Sequence, residues 1–172
     1  ALGAALVVSA VAFAQAPANP EKKLSCEGSK RSDRKRVCEM KEINLAATGR
    51  LDVDAGPNGG ITVQGWSQSG VLVRARVEAW GDSESDAQGT LGQVRVEAAG
   101  SQVRSTGPKE WMQQRWSVSY EVFVPQKSDL KLSTTNGGIT IADVRGAIIA
   151  DTTNGGLRLA RLAGRVKAET TN

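Results

Sequence analysis

The sequence predicts an all-β fold, a β-solenoid or β-roll-like stack of short strands built on 18-residue repeats, with one short helix near residues 83–93. Three observations predict it. The segments 134–151 and 152–169 align without gaps, agree at eight positions, and are followed by Thr170-Thr171-Asn172, the opening of a third unit. Apolar and polar residues alternate with period two in runs of about 3–5 residues, the signature of short half-buried strands. The turn triplet Asn-Gly-Gly recurs as Asn58-Gly59-Gly60, Asn136-Gly137-Gly138 and Asn154-Gly155-Gly156. Units repeated at a fixed spacing bury their apolar faces by stacking on one another, so the repeat sets the architecture. Two strands and two turns per unit also fit a meander of hairpins.

Column by column, the repeat assigns an inside and an outside. Ile139, Ile141, Val144, Ile148, Ala150 and Thr152 return 18 residues later as Leu157, Leu159, Leu162, Val166, Ala168 and Thr170, and every column stays apolar or small. The intervening pairs, among them Thr140/Arg158, Asp143/Arg161, Ala147/Arg165 and Ile149/Lys167, change chemistry freely and read as solvent-facing. Asn-Gly-Gly suits a turn with positive φ, which Gly and Asn reach at little steric cost. In a solenoid the Asn136, Asn154 and Asn172 side chains stack as a ladder.

Taken in order, residues 1–16 carry no charge and end in Ala14-Gln15-Ala16, a small-x-small site of the kind signal peptidase accepts. The run is shorter than the ~20 residues a spanning helix needs. We read it as a signal peptide whose start is clipped, outside the fold. Residues 17–41 form a basic segment. Between 21 and 41 stand eight Lys/Arg against four Asp/Glu, so the whole net charge of +4 resides there. Cys26 and Cys38, with eleven residues between them, are the only cysteines. Behind an export signal they are expected to form a disulfide, adding about 2–3 kcal/mol if unstrained. Acylation at Cys26 is not expected, because Lys22 and Lys23 separate it from the apolar run.

Residues 42–172 are read as the β-repeat domain, truncated at its C-terminus. The runs 42–46, 51–55, 61–66 and 71–80 alternate as strands. Asn58-Gly-Gly-Ile-Thr-Val matches Asn136-Gly-Gly-Ile-Thr-Ile, which marks an earlier, degenerate unit and places Trp66 in the interior column of Val144. Ser83 with Asp86 suits a helix N-terminus. The stretches 94–98 and 102–105 suggest a hairpin, and 116–124 is the most regular strand, with Trp116, Val118, Tyr120 and Val122 on one face.

Signal peptide, Leu51-Asp-Val-Asp-Ala-Gly-Pro-Asn-Gly-Gly60, Tyr120-Glu-Val-Phe-Val-Pro125, Asp129-Leu-Lys-Leu-Ser and the tandem Thr-Thr-Asn-Gly-Gly units together resemble the bacterial putative-adhesin family over about residues 40–172. The resemblance implies a repetitive β domain of unknown function in secreted, periplasmic or cell-surface proteins. It brings no catalytic residues with it.

Function follows by elimination and by charge. The chain has no histidine, so Ser-His-Asp and Cys-His chemistry is excluded within it. No cofactor is expected, and Asp82-x-Glu84-x-Asp86 lacks the glycine and the distal Glu of a calcium loop. Asp151 and Glu169 share an outward column, about 5 Å apart if units stack. That is the separation of a retaining glycosidase pair, on a surface with no aromatic platform. The favoured reading is a non-enzymatic surface protein whose basic residues meet anionic envelope glycans or lipid head groups. Candidates are Lys30, Arg31, Arg34, Lys35 and Arg36 in the loop, and Arg158, Arg161, Arg165 and Lys167 in the second unit. Nucleic acid is not expected, since no aromatic side chains interleave with these charges. An envelope-stress sensor is the alternative, and self-association through an uncapped last unit is a further expectation.

Overall fold

The alternating runs become twelve strands and one helix in the computed structural model, which describes residues 24–27, 34–109 and 115–171. The signal segment, Lys30, Arg31 and Asn172 lie outside these. In chain order the elements are β1 (Lys35–Ala46), β2 (Arg50–Asp54), β3 (Ile61–Trp66), β4 (Gly70–Gly81), α1 (Glu84–Leu91), β5 (Arg95–Ala99) and β6 (Gln102–Thr106). There follow β7 (Arg115–Pro125), β8 (Asp129–Thr134), β9 (Ile139–Ala142), β10 (Ile148–Thr152), β11 (Leu157–Ala160) and β12 (Val166–Thr170). They form two six-stranded mixed sheets, β1-β4-β7-β3-β9-β11 and β12-β10-β8-β2-β6-β5.

Pairing between the repeated units is parallel. Ile139 faces Leu157 across β9 and β11, and Ile148 faces Val166 across β10 and β12, so the register shift equals the repeat length. A hairpin meander would pair them antiparallel, and is therefore not their arrangement. The degenerate unit docks on the first exact one: Ile61 faces Ile139 and Leu51 faces Leu130, again in parallel. On its other side β3 meets β7 and β2 meets β6. Spatial order thus departs from chain order, because β4 to β7 leave the stack and return to its far side. There the architecture changes. The long strands β1, β4 and β7 pair antiparallel, as do β5 and β6, so the chain is not a uniform stack of short strands.

One core fills the space between the sheets. Val53, Ile61, Val63, Val73, Val118, Val122, Leu132, Ile139, Ile141 and Ile148 are all at most 1 % exposed. Alternation alone selects these residues, since every second side chain on a strand points inward. Helix α1 opens with the expected cap: Ser83 Oγ accepts from Asp86 N–H, and the Asp86 carboxylate accepts from Ser83 N–H. Its Ala87 and Thr90 are buried.

Two expectations need correction. The boundary at 41/42 falls inside β1, so the end of the basic segment belongs to the sheet. Trp66 is not interior. It lies half-buried on the outer face, with its ring 5.5 Å from Phe123 and its indole N–H donating to Gly70 O at 2.9 Å. Gly65 takes the inward position instead, because a Cβ there would stand 1.8 Å from Asp143 O. A bulky side chain has no room where the next unit approaches so closely.

The Cys26–Cys38 disulfide forms, with Cα atoms 5.8 Å apart. It pins residues 24–27 over the outer face of β1 and β4, where Arg36 donates to Cys26 O and Arg76 to Ser25 O. Beneath this strap Glu78, 4 % exposed, lies 2.7 Å from Arg36 Nε and 2.9 Å from Arg76 Nε. A carboxylate so desolvated needs both cations.

Candidate functional site

The repeated turn has a distinct construction. Asn136 donates its side-chain N–H to Asn58 Oδ1 at 3.1 Å, and Asn154 donates likewise to Asn136 Oδ1 at 2.9 Å. Thr134, Thr152 and Thr170 each donate a hydroxyl to the first turn glycine of a neighbouring unit, Gly59, Gly137 and Gly155 respectively, at 2.7–2.9 Å. The glycines are not there chiefly for positive φ, as the sequence suggested. Of the six, Gly59 alone has it. Close approach is the cause: a Cβ on Gly137 would stand 2.0 Å from Gly59 O, and one on Gly155 1.9 Å from Gly137 O. Among the described residues the non-glycine positions with positive φ are Asp143 and Arg161, at 59° and 49°, one repeat apart.

The structure divides the candidate cations rather than gathering them. Arg34 lies 4.0 Å from Asp82, Lys35 is exposed, and Arg36 is committed to Glu78. Arg158 sits on β11 in one sheet and Lys167 on β12 in the other, so the second unit presents no single basic stripe. Lys167 pairs with Glu169 at 3.0 Å, and Arg165 is exposed just before β12.

Arg161 grips Asp143 with both arms of its guanidinium, and Gln64 donates to the same carboxylate at 2.6 Å. These donors, Arg161 foremost, hold the Asp143 carboxyl down at about 2 against an ordinary 3.8. Because the folded value is depressed, this stabilisation is complete above pH 4 or so and is lost as pH falls through about 2. Carboxyl carbon NMR of the native protein should therefore place the Asp143 midpoint near 2, and Arg161→Ala should move it toward 3.8. An unmoved midpoint would refute the pairing.

Two open grooves flank the stack at its two turns and differ in charge. The first, of about 680 Å³, runs along the Asn-Gly-Gly side and is lined by Asp54, Ser133, Asp151, Glu169 and the threonines. Asp151 and Glu169 are direct neighbours in register there, with Lys167 beside them. Among the described residues no three His, Cys, Asp or Glu side chains stand together to hold a metal ion. The second groove, of about 660 Å³, follows the other turn, past Lys127, Ser128, Arg145, Gly146 and Gly164. Lys127 and Arg145 are exposed and bridge each other in parallel on adjacent units. The sequence reading missed Lys127 because it precedes the exact repeats; the offset of 18 from Arg145 was the available signal.

Comparison with known proteins brings no match to a family model and none to a curated protein. Solved structures similar to this chain include a putative lipid binding protein from Parabacteroides distasonis, at 7 % identity and TM-score 0.41, covering 77 % of this chain and 60 % of that one. A putative cell adhesion protein from Clostridium sporogenes is similar at 10 % identity and TM-score 0.33, over 80 % of this chain and 99 % of that one. A putative adhesin from Parabacteroides merdae is similar at 9 % identity and TM-score 0.35, over 77 % and 58 %. The chain thus spans about 60 % of the length of the first of these proteins.

Proposed function

We propose that the protein is a non-enzymatic, exported envelope or surface protein, a disulfide-stapled β-solenoid that binds anionic polymers along the groove of its second turn. The observation that carries this reading is the pair Lys127 and Arg145, exposed on adjacent units at that groove; the next residue in that register is Ala163, with the exposed Arg165 two positions further along the chain. Like charges held in register and facing water attract a partner with negative charges spaced along its length. Asp129, the nearby carboxylate, accepts a hydrogen bond from Ala147 N–H at 2.8 Å. The disulfide supports export, since such bonds persist in oxidising compartments. The shared ligand chemistry is a row of carboxylate, sulfate or phosphate groups, from an envelope glycan or a lipid surface.

Titration of the oxidised protein with a polyuronate, a sulfated glycan and anionic vesicles separates those sources. Binding should weaken steeply with salt. The double variant Lys127→Ala, Arg145→Ala should lower affinity about tenfold at low salt with stability unchanged. Salt-insensitive binding, or no binding to any of the three, would overturn the proposal.

A further inference from the structure

At the end of the stack formed by β11 and β12, residues that are matched on every other unit stand unmatched. Glycine is the clearest case. A Cβ on Gly60 would lie 3.3 Å from Gly138 O, and a Cβ on Gly138 would lie 3.3 Å from Gly156 O. Gly156 occupies the same position, yet no described atom comes within 4 Å of its Cβ site and its φ is not positive. Neither its backbone conformation nor any described neighbour calls for a glycine. A carbonyl arriving from a following unit does.

Backbone and side chains repeat the pattern. Ile61 N–H donates to Gly138 O at 3.0 Å and Ile139 N–H to Gly156 O at 2.9 Å, while Leu157 N–H is the equivalent donor on the outermost unit. The Asn ladder runs one way, each amide N–H reaching to the unit before it, so Asn154 Oδ1 is its next acceptor. Leu159 and Val166 are each 39 % exposed where Ile141 and Ile148 in the same columns are 0 % and 1 % exposed.

We propose that this end is a docking surface for one further unit of the same 18-residue pattern, continuing the chain in parallel with its second turn glycine over Gly156. The ladder's polarity favours this occupant over a second copy, since two such ends meeting face to face would bring Asn154 Oδ1 against its own equivalent. A strand from an unrelated partner would satisfy the backbone edge but would give no reason for glycine at 156.

The test compares the 172-residue chain with one in which residues 154–171 are repeated after Thr171. The added unit should slow amide exchange in Leu157–Ala160 and Val166–Thr170 by about tenfold or more. Gly156→Val should abolish that slowing in the lengthened chain and leave the melting of the 172-residue chain unchanged. Exchange that does not slow, or a Gly156→Val effect equal in both chains, would overturn the proposal. So would protection in the 172-residue chain that rises with protein concentration, which would make a second copy the occupant.

Discussion

Gly137→Ala should destabilise the protein by about 3 kcal/mol or more, a large share of the stability of a domain this size. The added methyl carbon would stand 2.0 Å from Gly59 O and 2.6 Å from its carbonyl carbon. Backbone atoms, unlike the end of a flexible side chain, cannot swing aside. Gly59 O is fixed as the acceptor of the Thr134 hydroxyl, Gly137 O as that of the Thr152 hydroxyl, and Asn136 N–H donates to Pro57 O at 2.9 Å. Relief therefore requires two units to separate, with loss of the Asn58–Asn136 contact and the parallel pairing of β3 with β9. Urea denaturation of the oxidised protein measures the cost. Gly89→Ala is the matching control: Gly89 lies in α1 with nothing within 4 Å of its Cβ site, and alanine there should add up to about 1 kcal/mol. A Gly137→Ala variant within 1 kcal/mol or so of the parent would mean that the units are not in close contact at this turn.

The same residues show how far the sequence could be read. Interior columns were legible on the first unit because alternation is local: Ile139, Ile141, Val144, Ile148 and Ala150 are all buried to 1 % or less, whereas Leu159, Val166, Ala168 and Thr170 in the same columns of the second unit are exposed, because β11 and β12 are the outermost strands. So were the capped helix, which needs only Ser83 and Asp86, and the disulfide, which needs two cysteines and a compartment. What depends on long-range neighbours was not legible. Asn58 meets Asn136 across 78 residues of chain because β4 to β7 turn away and come back; the shared Asn-Gly-Gly marks the two turns as equivalent, but no local pattern shows that they touch. Trp66 looked interior by alignment with Val144, yet the carbonyl at Asp143 leaves room only for Gly65. Arg36 read as one charge of a basic loop open to an anionic ligand, whereas its partner Glu78 lies 42 residues away on β4. The candidate site shared this fate. Charges can be counted from a sequence, but which of them are already neutralised is decided by register.

The second large effect sets one column of the repeat against itself. Ile141→Ala should cost about 3 kcal/mol, because the side chain is 0 % exposed between the two sheets and its removal leaves a cavity that packed neighbours on both sides cannot close. Leu159→Ala removes a side chain from the same column one unit later, yet should cost less than about 1 kcal/mol, since Leu159 is 39 % exposed and loses little buried area. Propensity cannot produce this contrast: both positions lie in four-residue strands, β9 and β11, paired to each other in parallel. Differential burial can, since β9 has a strand on each side and β11 has one. Equal losses for the two variants in urea would show that Leu159 is as enclosed as Ile141 in solution. A small loss at both would show that β9 is not packed against the second sheet. The expected asymmetry makes the column a gauge of position in the stack, with the depth of any unit read from the cost of trimming its inward side chain.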